Sequence, residues 1–373
     1  MPQMINAART IVYKSADHYC NQAFVIQSRG GDVICIFNEE LGLAHADRGY
    51  TSIIRSRDGG QSWDPQSYQV VLPATELIGN WDSAIAQLAD GSLLINLCQT
   101  GFFKRGMSWD APQYDASEFM TLKTWLGTAV LKSTDDGHSW SAPIPVNTAP
   151  MKMGSTRVAA MQLPDGGILL PLYGRMDGTF YGMREPVGEY MRSYFVRSDD
   201  GGNNWEHFTT IAYDPAHVVG YAEPAPLLLK DGRIVVLMRV HHRPTHRPDN
   251  IYQVFSDDGG YTFSTPRRLN LWGYPGQLIN LRDGRVLFTY GYRRDEFGVK
   301  ACISEDGVTW DVANAFSLHE GGQGPSWERT WWHTGYPATV QLADGSLLTV
   351  YHLFSQEDRP VQYVEAVRWD LGT

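Results

Sequence analysis

The sequence predicts an all-β protein, a six-bladed β-propeller of four-stranded antiparallel blades. Three observations carry this: a short box ending in an aromatic residue recurs five times, a strand-turn-strand signature recurs six times, and the two alternate along the chain. The box Ser-x-Asp-x-Gly-x-x-Trp stands at Ser56 to Trp63 (SRDGGQSW), Ser133 to Trp140 (STDDGHSW) and Ser198 to Trp205 (SDDGGNNW). Ser256 to Phe263 (SDDGGYTF) changes only the aromatic, and Ser304 to Trp310 (SEDGVTW) is one residue short. Such a box locks a tight turn: the Asp accepts local backbone N–H groups, the Gly takes positive φ, and the aromatic anchors the turn from below.

The second signature is a pair of strands around a Leu-x-Asp-Gly turn. It reads DSAIAQLADGSLLINL from Asp82, RVAAMQLPDGGILLPL from Arg157, EPAPLLLKDGRIVVLM from Glu223, PGQLINLRDGRVLFTY from Pro275 and YPATVQLADGSLLTVY from Tyr336. A weaker copy, QAFVIQSRGGDVICIF from Gln22, precedes the first box. The turn glycines Gly31, Gly91, Gly166, Gly232, Gly284 and Gly345 are 52 to 75 residues apart, room for four short strands per period. No linker or low-complexity run interrupts the series, so residues 1–373 form one domain. The C-terminal VQYVEAVRWDL alternates like an outer strand and is expected to complete the last blade beside the N-terminus.

Glycine, tryptophan and tyrosine, at 37, 12 and 19 residues, favour turns and sheets. A net charge of −10 argues against a nucleic-acid or anionic-membrane surface, so any anion site must be a local pocket. No run approaches the roughly 18 apolar residues of a membrane span, and MPQMINAARTIVYKSADHYC lacks the apolar core of a leader, so a cytoplasmic location is expected. Cys20, Cys35, Cys98 and Cys302 are scattered without any CxxC spacing, which points to reduced, packed thiols. His241, His242 and His246 fall in what reads as a rim loop without fixed metal-ligand geometry, and no metal or cofactor is called for.

In a propeller the innermost strands line the axis, so the residues that open each turn unit converge. Six residues before the turn leucine stand Asp82, Arg157, Glu223, Pro275 beside Tyr274, and Tyr336, with Gln22 as the counterpart in blade one. Inner strands are mostly apolar, which makes this ring of acids, arginine and tyrosines a candidate site. Asp82 and Arg157 have the alternative of pairing with each other as a structural ion pair.

The boxes and turn units together resemble the sialidase (neuraminidase) superfamily, six-bladed propellers that carry this "Asp box" in several blades, over the stretch from Gln22 to the end. The box speaks for the fold and not for activity. The resemblance implies an exo-acting glycosidase that releases a terminal acidic sugar, with a glycan as partner. Glu223 stands in the Glu-Pro opening blade four, Arg239 at the family's separation from it, and Tyr336 where the family keeps its nucleophilic tyrosine. A neutral tyrosine made basic by a neighbouring Glu suits an anomeric carbon bearing a carboxylate, which would repel a carboxylate nucleophile. Arg239, and either Arg293 or Arg294 in GYRRDEFG, match arginines that clamp that carboxylate. The family's acid/base aspartate lies before the first box, where Asp47 matches best, with Glu39, Glu40 or His45 as substitutes.

The family's first clamp arginine opens blade one, and here that stretch reads Tyr19-Cys20-Asn21-Gln22. Arg157 or Arg48 would then supply the charge from another direction, or the substrate differs from an ordinary sialic acid. Two other readings stay open: a propeller glycosidase or lyase acting on uronic-acid or rhamnose-containing glycans, and a non-catalytic glycan-binding propeller. The aromatic run Trp327 to His333 reads as a sugar-stacking platform or as inter-blade packing.

Overall fold

The computed structural model describes residues 1–41, 48–104, 114–116, 121–176, 190–245, 247–274, 276–326 and 333–372. Six antiparallel sheets follow one another along the chain, each starting at one turn unit. Blade one is His18–Gln27, Val33–Leu41, Gly49–Ser56 and Asp64–Leu72. Blade two runs Ile78–Gln87, Leu93–Lys104, Thr121–Ser133 and Ile144–Pro145, with Tyr114–Ala116 added beside the third strand. Blade three is Met161–Gln162, Ile168–Gly174, Arg192–Ser198 and Glu206–Ala212. Blade four is Val219–Leu228, Ile234–His242, Tyr252–Ser256 and Arg267–Arg268. Blade five is Gly276–Asn280, Val286–Tyr292, Gly298–Ser304 and Ala315–Glu320. Blade six takes Gly335–Gln341, Leu347–Phe354 and Gln362–Gly372 from the C-terminal end and Gln3–Tyr13 from the N-terminal end, as the alternation of VQYVEAVRWDL predicts.

The box works as its chemistry demands. In the first, the Ser56 hydroxyl donates to Asp58 at 2.7 Å and accepts the Gly60 N–H at 2.8 Å, while Asp58 accepts the Ser62 N–H at 2.9 Å. The same three bonds recur around Asp135, Asp200 and Asp258, and the short copy around Asp306 keeps the pattern one residue tighter. Trp63, Trp205 and Trp310 are buried beneath their turns.

A second device ties the blades into a ring. Gln87 donates to the carbonyl of its own turn glycine, Gly91, at 3.0 Å and accepts the N–H of Arg29, in the turn of blade one, at 2.9 Å. Gln27, Gln162 and Gln341 do the same, gripping the N–H groups of Ala343, Ala89 and Arg282 in the preceding blades. Blade four breaks the series with Leu228, and blade three offers it only Pro164, which has no N–H to give. Asn280 in blade five instead donates to the Leu228 carbonyl at 2.9 Å.

Blade three departs from expectation. A full inner strand from Arg157 is predicted, but pairing is limited to Met161–Gln162 and one bridge between Ser155 and Tyr173. The side chain of Asn96 in blade two replaces the ladder, donating to the Val158 carbonyl at 3.2 Å and accepting the Ala160 N–H at 3.1 Å. The histidine segment is also not a loop at its start, because His241 and His242 end a strand and pair with Arg247–Pro248.

Candidate functional site

The turns of both series lie at one end of each blade, so the starts of the inner strands meet at the other. There the ladder slips at the same place in four blades, between Asn21 and Phe24, Trp81 and Ala84, Ala222 and Ala225, and Gly335 and Ala338. The first residue inside each bulge is Gln22, Asp82, Glu223 or Tyr336, with φ of 51, 50, 50 and 51°. Left-handed backbone is strained for such side chains, and a bulge aims its extra residue out of the sheet's regular alternation. Pro224 and Pro337 follow two of them and leave no N–H to satisfy, while in blade two the freed N–H of Ser83 is taken by Asn38 at 3.2 Å.

Tyr336 and Glu223 come together: the Tyr336 hydroxyl donates to Glu223 Oε1 at 3.4 Å, and Arg239 Nη1 donates to Glu223 Oε2 at 3.0 Å. Burial and the Glu223 charge push the Tyr336 phenol up to about 12, against the pull of Arg293 and Arg239. The phenol is therefore neutral at physiological pH, with a carboxylate placed to take its proton. Tyr274 carries Arg239 and Arg293 on its ring, each 4.2 Å from the centroid. Arg293 also lies 4.8 Å from the Tyr336 ring and donates to the Thr334 carbonyl at 3.0 Å.

This decides between the two arginines of GYRRDEFG. Arg293 is buried at the axis, whereas Arg294, the next residue on an extended strand end, is exposed on the flank with its guanidinium 4.2 Å from the Trp272 ring. Arg157 reaches the site from blade three: it lies 4.5 Å from the Tyr336 ring and donates from Nη2 to the Tyr336 carbonyl at 3.0 Å. No hydrogen bond or ion pair joins it to Asp82 among the described residues, so the structural pair considered for these two does not form. Asp82 still feels the Arg157 charge, but burial, with Glu223 and Glu40 nearby, pushes its carboxyl up to about 8. Arg48 sits elsewhere, donating to the Glu76 carbonyl at 3.2 Å on an exposed edge. Of the acid/base candidates, Asp47 and His45 lie outside the described residues. Glu39 is turned away into blade one, where it accepts from Ser52 at 2.6 Å and Tyr68 at 2.5 Å, while Glu40 is buried within electrostatic reach of Asp82. Residues 327–332 of the aromatic run and Pro275 are likewise outside the described residues.

Two buried histidines stand beside Tyr336: His333, the end of the aromatic run, and His352, which the sequence reading did not single out. The His352 ring stacks on Tyr336 at 5.5 Å, His333 lies 5.0 Å from His352, and His352 Nδ1 accepts the Gln22 N–H at 3.1 Å. A second count finds His352: seven residues after each turn glycine stand Asn38, Cys98, Tyr173, Arg239, Gly291 and His352, the axial ends of the second strands. Among the described residues no group of three or more His, Cys, Asp or Glu is placed to hold a metal ion, and no helix is long and apolar enough to cross a membrane.

The family model of the BNR repeat-like domain matches residues 113–349. The chain belongs to this family. A protein of unknown function from Dyadobacter fermentans superposes with a TM-score of 0.82 at 23% identity, covering 100% of this chain and 99% of that one. The intramolecular trans-sialidase of Ruminococcus gnavus, in complex with oseltamivir carboxylate, gives 0.70 at 14% identity, covering 96% of each chain. Trypanosoma rangeli sialidase with 2,3-difluorosialic acid, a covalent intermediate, gives 0.65 at 15% identity, covering 99% of this chain and 59% of that one. No curated protein matches the sequence. Likeness at these identities establishes that the BNR repeat-like chain shares the six-bladed fold of sialidases.

Proposed function

We propose that the protein is an exo-acting glycoside hydrolase that releases a terminal acidic sugar, sialic acid or a relative, with retention of configuration. The observation that carries this is the buried contact of Tyr336 with Glu223, whose second oxygen is held by Arg239. Tyr336 Oη attacks the anomeric carbon as its proton passes to Glu223, and the bond to the leaving glycosidic oxygen breaks. That oxygen takes a proton from the acid in the loop before the first box, where Asp47 is the sequence's candidate. Water deprotonated by the same group then attacks the anomeric carbon, the bond from that carbon to Tyr336 Oη breaks, and Glu223 returns the proton to Oη; two inversions give retention. Arg239 and Arg293 serve the sugar's carboxylate, and the solved neighbours that carry sialic-acid-like ligands lend support to the substrate class.

Gln22 at the position where sialidases keep an arginine favours a second reading, a glycosidase or lyase for uronic-acid or rhamnose-containing glycans. Purified protein assayed on chromogenic sialosides, uronides and rhamnosides separates the two. Sialoside turnover lost in Tyr336→Phe, and reduced about 10²–10⁴-fold in Glu223→Gln, supports the first. Turnover of rhamnosides or uronides alone overturns it, and a glycan-binding activity unaffected by both variants would make the protein a non-catalytic propeller.

A further inference from the structure

The arc from blade one to blade three is unusual in what it offers a ligand. Gln22 Oε1 accepts the Asp82 N–H at 3.2 Å, which fixes the amide with its NH2 left to donate. Arg157 spends Nη2 on the Tyr336 carbonyl, yet its Nε and Nη1 are buried with no partner among the described residues. Buried donors of this kind cost free energy unless a ligand or water meets them. The Asp82 carboxyl lies beside them, 5% exposed and free of hydrogen bonds or ion pairs with the described residues. Among the described residues the ionisable groups within electrostatic reach of it include Glu40, Arg157, Tyr173, Glu223, Tyr336 and Cys98. Burial, with Glu223 and Glu40 within reach, keeps the Asp82 proton on and makes its OH a further donor. The arc thus presents donors and one fixed positive charge, the pattern of an oxyanion receptor.

Resting on the reading above, we infer that Arg157 and Gln22 receive the carboxylate of the acidic sugar together with Arg239 and Arg293, so that the third cation of the clamp enters from blade three. Gln22 is then not a gap left by a lost arginine. Arginine at position 22 has no acceptor for the Asp82 N–H, and its charge would strip the proton from Asp82 and replace a donor by a repelling carboxylate.

Calorimetric titration with N-acetylneuraminic acid and D-glucuronic acid, each beside its methyl ester, tests this on the whole protein. The wild type is expected to prefer N-acetylneuraminic acid over its ester, while a preference for D-glucuronic acid alone overturns the sialic-acid reading and leaves the Arg157 assignment to its variants. Arg157→Gln is expected to erase about tenfold or more of that preference while binding the ester as before, and Arg157→Lys to restore part of it. A structural role would weaken acid and ester alike. The preference should also fall as pH rises through the Asp82 titration near 8. An acid preference that survives Arg157→Gln and Arg157→Lys but is lost in Arg293→Gln overturns the Arg157 assignment and leaves the acidic-sugar reading standing. No preference for either acid in the wild type overturns both.

Discussion

At the scale of single residues the site is built against local stability. Four side chains sit in left-handed backbone at one level of the axis, at roughly 1 kcal/mol or more each, and only a rigid ladder on both sides holds them there. Asp82 adds a buried carboxyl pushed up to about 8. Its folded pKa lies above the unfolded value near 4, so its contribution to stability is fully present below about pH 4 and is lost as pH rises through about 8. Asp82→Asn keeps the shape and a side chain tolerant of positive φ. The variant should match the wild type in urea unfolding at pH 4 and exceed it by more than about 1 kcal/mol at pH 8.5; a constant difference across that range would show that Asp82 is ionised in the folded state. The ring itself was legible in the sequence, because the count back from each turn leucine needs only the strand period. The bulges were not, since a register slip leaves no mark in residue type except where a proline follows, as at Pro224 and Pro337. His352 escaped for a different reason: it lies on the second strand, where the same axis is reached by a different count.

At the scale of the element, the box and the turn unit were readable since both are local chemistry, an acceptor side chain and a glycine at fixed offsets. The glutamine that staples neighbouring blades was hidden in plain alternation, where it reads as the outward polar residue of a strand. Its two bonds predict that Gln87→Ala or Gln162→Ala lowers stability by about 1–2 kcal/mol in chemical denaturation, for they free a turn N–H and a carbonyl together. Leu228→Gln should gain nothing, as Pro164 supplies no N–H. A stabilised Leu228→Gln would mean that the staple acts through packing and not through the inter-blade bond. In the boxes and turn units, local N–H and hydroxyl donors hold Asp58, Asp90, Asp200, Asp258 and Asp344 below the usual carboxylate range, and the Arg197 guanidinium does the same for Asp165. Groups lowered in this way support the fold above about pH 4 and lose that support as pH falls through their folded values, the opposite sense to Asp82.

At the scale of the molecule, the ring is closed in blade six, where strands from the two ends of the chain pair. Here Gln3–Tyr13 supplies the outer strand of blade six, pairing with Gln362–Gly372 in antiparallel register from Gln3 opposite Gly372 to Tyr13 opposite Val364. The same strand reaches sideways to both neighbouring blades. Arg9 donates to the Leu318 carbonyl of blade five at 2.6 Å, and Thr10 accepts the indole N–H of the blade-one box tryptophan, Trp63, at 3.2 Å. Removing residues 1–13 therefore strips a ladder, the hydrogen bonds of Arg9 and Thr10 to both neighbouring blades and the cover of an edge strand at once, whereas deleting one staple leaves the ring closed. The truncated protein is expected to lose several times the roughly 1–2 kcal/mol of a single staple and to associate through the bared Gln362–Gly372 edge, seen as concentration-dependent mass in light scattering. The axial site lies on the inner strands, at Tyr336 and Glu223, yet its spacing depends on that closure, because blade six carries Tyr336 and its distance from Glu223 is set across the ring. Activity should accordingly fall with the truncation even where folded monomer persists at low concentration. A truncated protein that stays monomeric, melts with the wild type and turns over substrate unchanged would show that five full blades and a three-stranded sixth suffice to hold the axis.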